Sequence, residues 1–271
     1  MSILNSVLVL GALGLIFGAI LAYASKKFAV DVDERVESIL EVLPGANCGG
    51  CGFPGCGGLA NAIVEGKAAV NACPVGGEIC ATKIGDIMGI SYESEEKQVA
   101  KVLCKGNCKS AKDKYKYEGI QDCRSASMLN SGPKDCRFGC LGFGTCKEYC
   151  KFDAISVIDG LAIIDEEKCV MRGKCIEVCP KSIIHIKPAN KEVVVECSSE
   201  DFGKAVREKC SVGCIGCGLC KKACLFGAIE FENKIAKINY VKCVECMECV
   251  RKCPTKVIKG DISKNKKVTI D

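Results

Sequence analysis

The chain of 271 residues contains no tryptophan, and only 6% of its residues are aromatic. Large aromatic side chains normally supply much of the apolar surface that a domain buries. Another component must therefore form part of the core. We expect the protein to fold poorly when that component is missing.

The sequence also lacks the glycine-rich loops that bind nucleotides. No G-x-G-x-x-G follows a strand pattern, and no G-x4-G-K-[ST] occurs. Such loops hold phosphates with backbone amides at the start of a helix. Neither a dinucleotide nor a nucleoside triphosphate site is therefore expected, and no residue is a convincing catalytic acid, base or nucleophile.

Charge is absent from the first 25 residues, and residues 3–23 are almost wholly apolar. At about 1.5 Å per residue this segment can cross a hydrocarbon layer of about 30 Å. It predicts one transmembrane helix and a membrane anchor at residues 1–28. A signal peptide would carry its positive charge before the apolar segment, whereas Lys26 and Lys27 follow it. The positive-inside rule then predicts a cell-membrane protein with its N-terminus outside and residues 28–271 in the cytoplasm.

Cysteine is abundant, with 25 residues. A disulfide scaffold is a poor explanation, because such scaffolds are short secreted domains and this chain is predicted to face a reducing compartment. Zinc sites use C-x2-C pairs separated by a spacer. Three cysteines at consecutive x2 spacing are instead typical of an iron-sulfur cluster. The single histidine, His185, lies in a predicted strand away from any ligand spacing.

Two complete ferredoxin runs lie near the C-terminus. In each C-x2-C-x2-C-x3-C run, three cysteines bind one cluster and the fourth crosses to the other cluster. Pro254 follows the second run and turns the chain out of the ligand loop. The predicted [4Fe-4S] ligand sets are Cys214, Cys217, Cys220 and Cys253, and Cys243, Cys246, Cys249 and Cys224.

A third four-cysteine set follows the anchor and an amphipathic helix pattern at residues 33–43. Glycine between its cysteines lets the backbone turn tightly and direct amides at sulfur. A predicted helix over residues 58–67 returns the chain so that the last cysteine closes the set. The predicted ligands are Cys48, Cys51, Cys56 and Cys73.

From about residue 99 the chain is an internal repeat with an offset of 74 residues. Residues 136–150 align without a gap on residues 210–224. Farther upstream the two units differ in length, and there the segment ending at Cys104 corresponds to the segment ending at Cys197. Short β-branched strands alternate with helical turns behind the cysteines, which predicts tandem two-cluster ferredoxin-like units.

The predicted fold class is therefore α+β, with four parts in sequence. A single transmembrane helix comes first, followed by a small four-cysteine domain, a degenerate ferredoxin-like unit and a complete one. Their predicted bounds are residues 1–28, 33–92, 99–190 and 191–271.

The degenerate unit lacks one cysteine in each run. Phe143 and Arg172 occupy the positions of the second ligand, and neither side chain can donate to iron. Cys136 is close enough in sequence to complete the first site. A three-iron cluster, a cubane with a borrowed thiolate and loss of the site all remain open for the second. The retained ligands are Cys140, Cys146 and Cys179 for the first site and Cys150, Cys169 and Cys175 for the second.

Seven cysteines fall outside the spaced runs. One set of four could hold a cluster of its own, in which case Cys136 cannot complete the first site. Cys80 stands alone and is expected to be structural. At least three [4Fe-4S] clusters are predicted, and five or more with the degenerate unit, one of which could be [3Fe-4S]. The local set of four is Cys104, Cys108, Cys123 and Cys136, and the other two cysteines are Cys197 and Cys210.

The net charge of +5 is a weak indication of a nucleic-acid partner. A cubane with four thiolates carries about two negative charges, so about five clusters would bring the total to about −5. Lysines concentrate at residues 97–116 and 251–267, as a solvated surface or as a docking surface for an acidic redox carrier. Residues 265–267 are expected to be a frayed terminus.

This combination resembles the B subunit of the Rnf complex, the membrane-bound, ion-translocating ferredoxin:NAD oxidoreductase. The resemblance rests on the N-terminal span, residues 47–56 with Cys73-Pro74, residues 139–146 and the two C-terminal runs. It implies a translocase subunit that takes electrons from reduced soluble ferredoxin and relays them to other membrane subunits, while flavin and NAD chemistry lies elsewhere. Arg172 departs from the family pattern.

Two other functions are compatible with the residues alone. A membrane-anchored polyferredoxin could carry electrons to a different reductase, and its partner subunits would distinguish it. A structural or sensory cluster protein would have no turnover, and rapid reduction by ferredoxin would exclude it.

Overall fold

A computed structural model describes residues 2–27, 33–91 and 96–264 of the chain. The predicted frayed terminus at residues 265–267 lies outside the described residues, as do the predicted domain bounds at 1, 28, 92 and 271.

The first helix, α1 (Ser2–Lys27), is long and apolar enough to cross a membrane. Its large apolar side chains are exposed, and Leu15 is 78% accessible. A continuous helix satisfies its own backbone hydrogen bonds, so such a segment is suited to lipid, where its side chains are solvated by acyl chains. The predicted apolar helix is confirmed.

Three helices form a small domain after α1. Asp33 caps the first of them by accepting a hydrogen bond from the amide of Arg35. Fully buried aliphatic side chains, such as Ile39, Leu59 and Ile84, form its core. The helices are α2 (Glu34–Val42), α3 (Gly55–Val64) and α4 (Gly77–Met88). The second begins three residues earlier than the sequence pattern predicts.

The rest of the chain builds the same small fold twice. Each copy combines a β-hairpin, two short helices behind its cysteine runs, a second antiparallel strand pair and one further short helix before the first run. The first copy contains β1 (Gln98–Val102), α5 (Cys123–Met128), α6 (Thr145–Glu148), β2 (Ile155–Ile158), β3 (Leu161–Ile164), α7 (Lys174–Val178) and β4 (Ile184–Pro188). The second contains β5 (Val194–Val195), α8 (Lys204–Lys209), α9 (Leu219–Ala223), β6 (Ile229–Glu232), β7 (Ile235–Ile238), α10 (Glu248–Lys252) and β8 (Ile258–Lys259), followed by a 3-10 turn, Ile262–Lys264.

Strand pairing closes each copy on itself. The hairpins pair β2 with β3 and β6 with β7 in equivalent registers, with Ile155 opposite Ile164 and Ile229 opposite Ile238. The strand that enters each copy pairs with the strand that leaves it, β1 with β4 and β5 with β8. His185 lies on β4, as predicted for a strand residue.

The described residues form three separate apolar cores, one in the helical domain and one in each ferredoxin-like copy. Each core includes buried cysteines, such as Cys73, Cys140 and Cys214. The thiols therefore occupy positions that aromatic side chains fill in many small domains. The predicted α+β fold with an apolar N-terminal helix is confirmed.

Candidate metal centres

The four cysteine runs of the ferredoxin-like copies share one backbone conformation. In each, the third and fifth residues have positive φ, which non-glycine residues adopt at a cost. Alternation of this kind directs successive amides into one concave, anion-binding surface. The runs that carry Phe143 and Arg172 therefore keep the shape of a ligand loop. The φ values are 78° and 83° at Gly142 and Gly144, 53° and 80° at Met171 and Gly173, 67° and 73° at Gly216 and Gly218, and 59° and 60° at Glu245 and Met247.

Gly142 has a second reason to be glycine. A Cβ atom there would lie 2.3 Å from the carbonyl oxygen of Gly160, in the turn between β2 and β3. The first ligand loop thus packs backbone to backbone on the hairpin.

In the C-terminal copy the structure brings both crossover sets together. One cavity is lined by four cysteines, and the amide of Ala228 donates to Cys224 Sγ at 3.3 Å. Burial, followed by repulsion from neighbouring thiols, raises the pKa of Cys249 to about 12 and that of Cys220 to about 11. Without metal these are neutral thiols, so iron must displace their protons. The lining cysteines are Cys224, Cys243, Cys246 and Cys249, and Cys220 is near Cys214, Cys217 and Cys253.

The N-terminal set is held by the first turn of α3, which carries Cys56, and by the loops that flank this helix. Cys73 is near Cys51 and Cys56, and its sulfur accepts a hydrogen bond from the Gly76 amide at 3.3 Å. The Gly50 amide lies 3.5 Å from the sulfur of Cys48. Amide donors of this kind stabilise a sulfur that carries negative charge.

Cys80 lies behind this set on α4. It is 5% exposed, and its thiol donates to the carbonyl oxygen of Val42 at 3.6 Å. This contact belongs to the apolar core of the helical domain.

Four cysteines of the first copy, rather than three, line one cavity. Cys123 joins the three retained ligands, whereas Cys136 lines a different cavity. The set is Cys123, Cys140, Cys146 and Cys179.

A buried threonine holds Cys123 in place. Thr145 is 2% exposed, and its hydroxyl accepts from the Cys123 amide at 2.7 Å and donates to the Asp122 carboxylate at 2.8 Å. Asp122 in turn caps α5 by accepting from the Ser125 amide. The start of α5 is thereby fixed against the start of α6, which carries Cys146.

Phe143, at the position of a missing ligand, packs on a segment that the first copy has inserted between β1 and its first cysteine run. Its ring centroid is 5.2 Å from that of Tyr117. The insertion between β1 and the first cysteine run therefore covers the side of the loop where a ligand would stand, and also supplies Cys123. No spacing in the sequence predicts this, since Cys123 lies 17 residues before Cys140.

The second site of the first copy has three thiols. Its cavity is lined by Cys150, Cys169, Cys175 and Arg172, with no fourth cysteine among the lining residues. The Ala100 amide is 3.5 Å from the sulfur of Cys169.

Arg172 points from this site to the N-terminal cysteine loop. Its Nη2 donates to the carbonyl oxygen of Cys48 at 2.5 Å, and its Cγ lies 3.1 Å from where a Cβ on Gly50 would be. Its Nε is buried, and none of the described residues accepts a hydrogen bond from it.

A further cavity is lined by four cysteines from both copies, Cys104, Cys136, Cys197 and Cys210. Cys108, which the sequence grouped with Cys104, is exposed.

The spacing of the thiols separates these sites from single-ion sites. In the described ranges, no three His, Cys, Asp or Glu side chains are close enough to share one metal ion. A zinc ion is bound by four sulfurs, each about 2.3 Å from the metal, whereas the four thiolates of a cubane surround a four-iron cluster and therefore lie farther apart. All 25 cysteines are free thiols. The donor sets fit iron-sulfur clusters.

Comparison with known proteins agrees with this chemistry. Residues 43–75 match an Fe-S cluster family, and residues 213–266 match the 4Fe-4S dicluster domain family. Iron-sulfur clusters are therefore cofactors of this chain, bound by a ferredoxin-type protein with an apolar N-terminal helix.

Three relatives cover nearly the whole chain. The B subunit of the Na(+)-translocating ferredoxin:NAD(+) oxidoreductase complex of Acetobacterium woodii is 52% identical over 268 residues, covering 97% of this chain and 80% of the relative. The B subunit of the ion-translocating oxidoreductase complex of Methanosarcina acetivorans is 42% identical, with coverage of 94% and 97%. The B subunit of the proton-translocating ferredoxin:NAD(+) oxidoreductase complex of Clostridium ljungdahlii is 42% identical, with coverage of 97% and 94%. The chain belongs to this family of B subunits, which confirms the resemblance seen in its sequence.

Proposed function

We propose that this chain accepts electrons from reduced ferredoxin and passes them to the other subunits of an ion-translocating, membrane-bound ferredoxin:NAD(+) oxidoreductase. The relatives named for such complexes support this assignment. A bound iron-sulfur cluster supplies the chemistry, because it takes up and releases one electron without breaking a bond. The contribution of the protein is to hold the ligand sets in order.

The observation that carries the proposal is the adjacency of successive cysteine sets. Within the C-terminal copy, Cys249 is near both Cys220 and Cys224, which belong to consecutive sets. Within the first copy, Cys146 is near Cys175. The Arg172–Cys48 hydrogen bond then joins the three-thiol site to the N-terminal set. Each copy thus holds two neighbouring sites, and the first copy connects to the helical domain.

The proposed ligand sets follow this geometry. Three [4Fe-4S] sites keep the ligands predicted by spacing: the N-terminal set and the two C-terminal sets. For the first copy we assign Cys123, rather than Cys136, as the fourth ligand beside Cys140, Cys146 and Cys179. Cys150, Cys169 and Cys175 form an incomplete site whose fourth position faces Arg172.

The N-terminal set is the exit toward the membrane in this proposal. Only 20 residues separate Lys27, at the end of α1, from Cys48. The C-terminal copy lies at the other end of the series and is the proposed entry for ferredoxin, with the bulk of the chain in the cytoplasm.

The test uses anaerobically purified full-length protein. Addition of reduced ferredoxin should bleach the cluster absorbance and produce low-temperature EPR signals. The iron content should exceed about ten atoms per chain, because twelve thiolates have the full spacing for three cubanes. An iron content below that value, or clusters that dithionite reduces but ferredoxin does not, would contradict the proposal.

A further inference from the structure

The proposed relay has a gap between its two halves. The two sites of the first copy adjoin each other, and so do the two sites of the second copy. The crossover ligands stay within each copy, so they do not connect the site that contains Cys140 with the site that contains Cys214. The cavity lined by Cys104, Cys136, Cys197 and Cys210 lies where the two copies meet.

We propose that Cys104, Cys136, Cys197 and Cys210 bind an additional iron-sulfur cluster that bridges the two ferredoxin-like copies. We call this set the seam site. Its occupancy does not depend on the identity of the electron donor, whereas its use as a bridge rests on the proposed function.

The internal repeat places the four cysteines in equivalent pairs. Cys104 follows the end of β1 by two residues, and Cys197 follows the end of β5 by two. Cys136 and Cys210 each precede the first cysteine of a ligand run by four residues. Each copy thus contributes the same two cysteines to one shared cavity, as expected for a site built on a pseudo-twofold axis.

Backbone hydrogen bonds repeat this symmetry and connect the seam site to both neighbours. The amide of Cys140 is 3.5 Å from the sulfur of Cys104, and the amide of Cys214 is 3.3 Å from the sulfur of Cys197. Cys140 and Cys214 are themselves ligand candidates of the adjoining sites. The Ser199 amide also lies 3.5 Å from Cys197 Sγ. Amide donors to sulfur are characteristic of cluster ligands.

The charge around the cavity favours an anionic occupant. Lys134 lines it and is 5% exposed, yet within the described ranges its Nζ donates only to the carbonyl oxygens of Gly106 at 2.8 Å and Gly160 at 3.2 Å. Lys209 also lines the cavity but is paired with Asp201 at 2.8 Å, and Glu196, the one carboxylate among the lining residues, lies 3.9 Å from Lys101, so Lys134 is the cation that an anionic occupant would compensate. A buried cation without a carboxylate is costly, and a cluster with four thiolates carries about two negative charges that would compensate it.

With the seam site filled, the ligand sets form one continuous series from the C-terminal copy to the helical domain. Each transfer moves one electron from a reduced site to an oxidised neighbour, and the reduced ferredoxin of the proposed function supplies it. No proton and no bond change is needed.

Paired substitutions in the full-length chain test occupancy. Cys104→Ala/Cys136→Ala removes the ligands from the first copy, and Cys197→Ala/Cys210→Ala removes those from the second. Each double variant should lose about four irons and four sulfides per chain, and the quadruple variant should lose no more than either. The exposed Cys108→Ala is the matched control and should lose none.

Other outcomes would overturn the seam site. Unchanged iron in Cys197→Ala/Cys210→Ala, together with iron loss in Cys108→Ala, would favour the local set of Cys104, Cys108, Cys123 and Cys136. Additive loss of about eight irons in the quadruple variant would place the two pairs in different clusters. One zinc per chain that disappears with either pair, at constant iron, would assign the cavity to zinc.

Reduction kinetics test the bridge separately. Retained EPR signals from the other clusters would show that the variants fold. In Cys197→Ala/Cys210→Ala, ferredoxin should reduce part of the remaining clusters as fast as in the parent protein and the rest at least tenfold more slowly. Uniformly fast reduction would refute the bridge. Failure of ferredoxin to reduce the parent protein would instead refute the proposed function and leave the iron measurements valid.

Discussion

Phe143 and Arg172 occupy equivalent ligand positions, but their surroundings differ. Phe143 packs on Tyr117, and a cysteine from the inserted segment lies beside the other three thiols. Arg172 has no such substitute, and its guanidinium reaches the carbonyl oxygen of Cys48. One replacement is compensated by a distant thiol. The other exchanges a thiolate for a cation between two cysteine sets.

Arg172→Cys should therefore complete the three-thiol site. We expect about one additional iron per chain if the parent holds a three-iron cluster, or about four if the site is empty, with a changed EPR spectrum. Phe143→Cys is the matched control and should leave iron unchanged, because its site already has four cysteines. An Arg172→Cys protein with unchanged iron and EPR would show that the parent site is already a complete cubane.

The assignment of Cys123 has its own test. Cys123→Ser should weaken or remove the cluster of Cys140, Cys146 and Cys179, with loss of up to about four irons per chain. Adding Phe143→Cys to that variant restores the ferredoxin spacing and should recover the iron. If Cys136 were the fourth ligand instead, Cys123→Ser would keep its full iron content in the same assay.

The contrast between these residues marks the limit of sequence spacing. The C-terminal sets were predictable because their ligands are local and their spacing specifies a loop. Cys123 was not, because it reaches its site through the hydrogen bonds of a buried threonine in another segment. The sequence shows that neither Phe143 nor Arg172 can ligate iron. The positions of their side chains could not be predicted, because they depend on tertiary contacts.

At the scale of elements, the ligand loop is defined by backbone conformation more than by side chains. Met171, Glu245 and Met247 adopt positive φ where other runs have glycine. Repeat alignment predicted the hairpins β2–β3 and β6–β7, because their patterns recur at a fixed offset. It did not predict that β1 and β5 would direct Cys104 and Cys197 to one cavity, since that convergence depends on how the two copies pack.

Gly142→Ala should be more damaging than the same change at Gly173. Both residues have positive φ, 78° and 80°, so each substitution should cost about 1–2 kcal/mol of conformational strain. Of the two, only at Gly142 would the new methyl group collide with a backbone oxygen, whereas at Gly173 no atom of the described residues beyond its chain neighbours lies within 4 Å. Chemical denaturation of the two holoproteins, with iron analysis, should show the larger loss for Gly142→Ala. Equal losses would mean that the loop does not pack on the hairpin as described.

At the scale of the whole molecule, the cysteine sites connect parts that have separate apolar cores. Arg172 links the first copy to the helical domain, and the hydrogen bonds at Cys104 and Cys197 meet between the two copies. With few aromatics, the stability of each part should depend on the cluster it holds. Electron transfer and folding would then rely on the same contacts.

The membrane helix should be separable from this assembly. No residue of the span within α1 is buried against the other described residues, so removing residues 1–27 should leave the three cores intact. The truncated protein should be recovered from the soluble fraction and should have the same iron content as the full chain. The full chain itself should sediment with membranes. Loss of iron on truncation would show that α1 supports a cluster domain.

The orientation of that helix is a prediction from its flanking charges. Lys26 and Lys27 lie at its C-terminal end, and the first 25 residues carry no charged side chain. Basic residues are retained on the cytoplasmic side of a membrane. A reporter that functions only in the cytoplasm should therefore be active when it is fused after residue 271. A second reporter that works only outside, fused at the same position, should stay inactive. The opposite pattern would place the cluster domains outside, beyond the reach of a cytoplasmic ferredoxin, and would refute both the topology and the proposed electron donor.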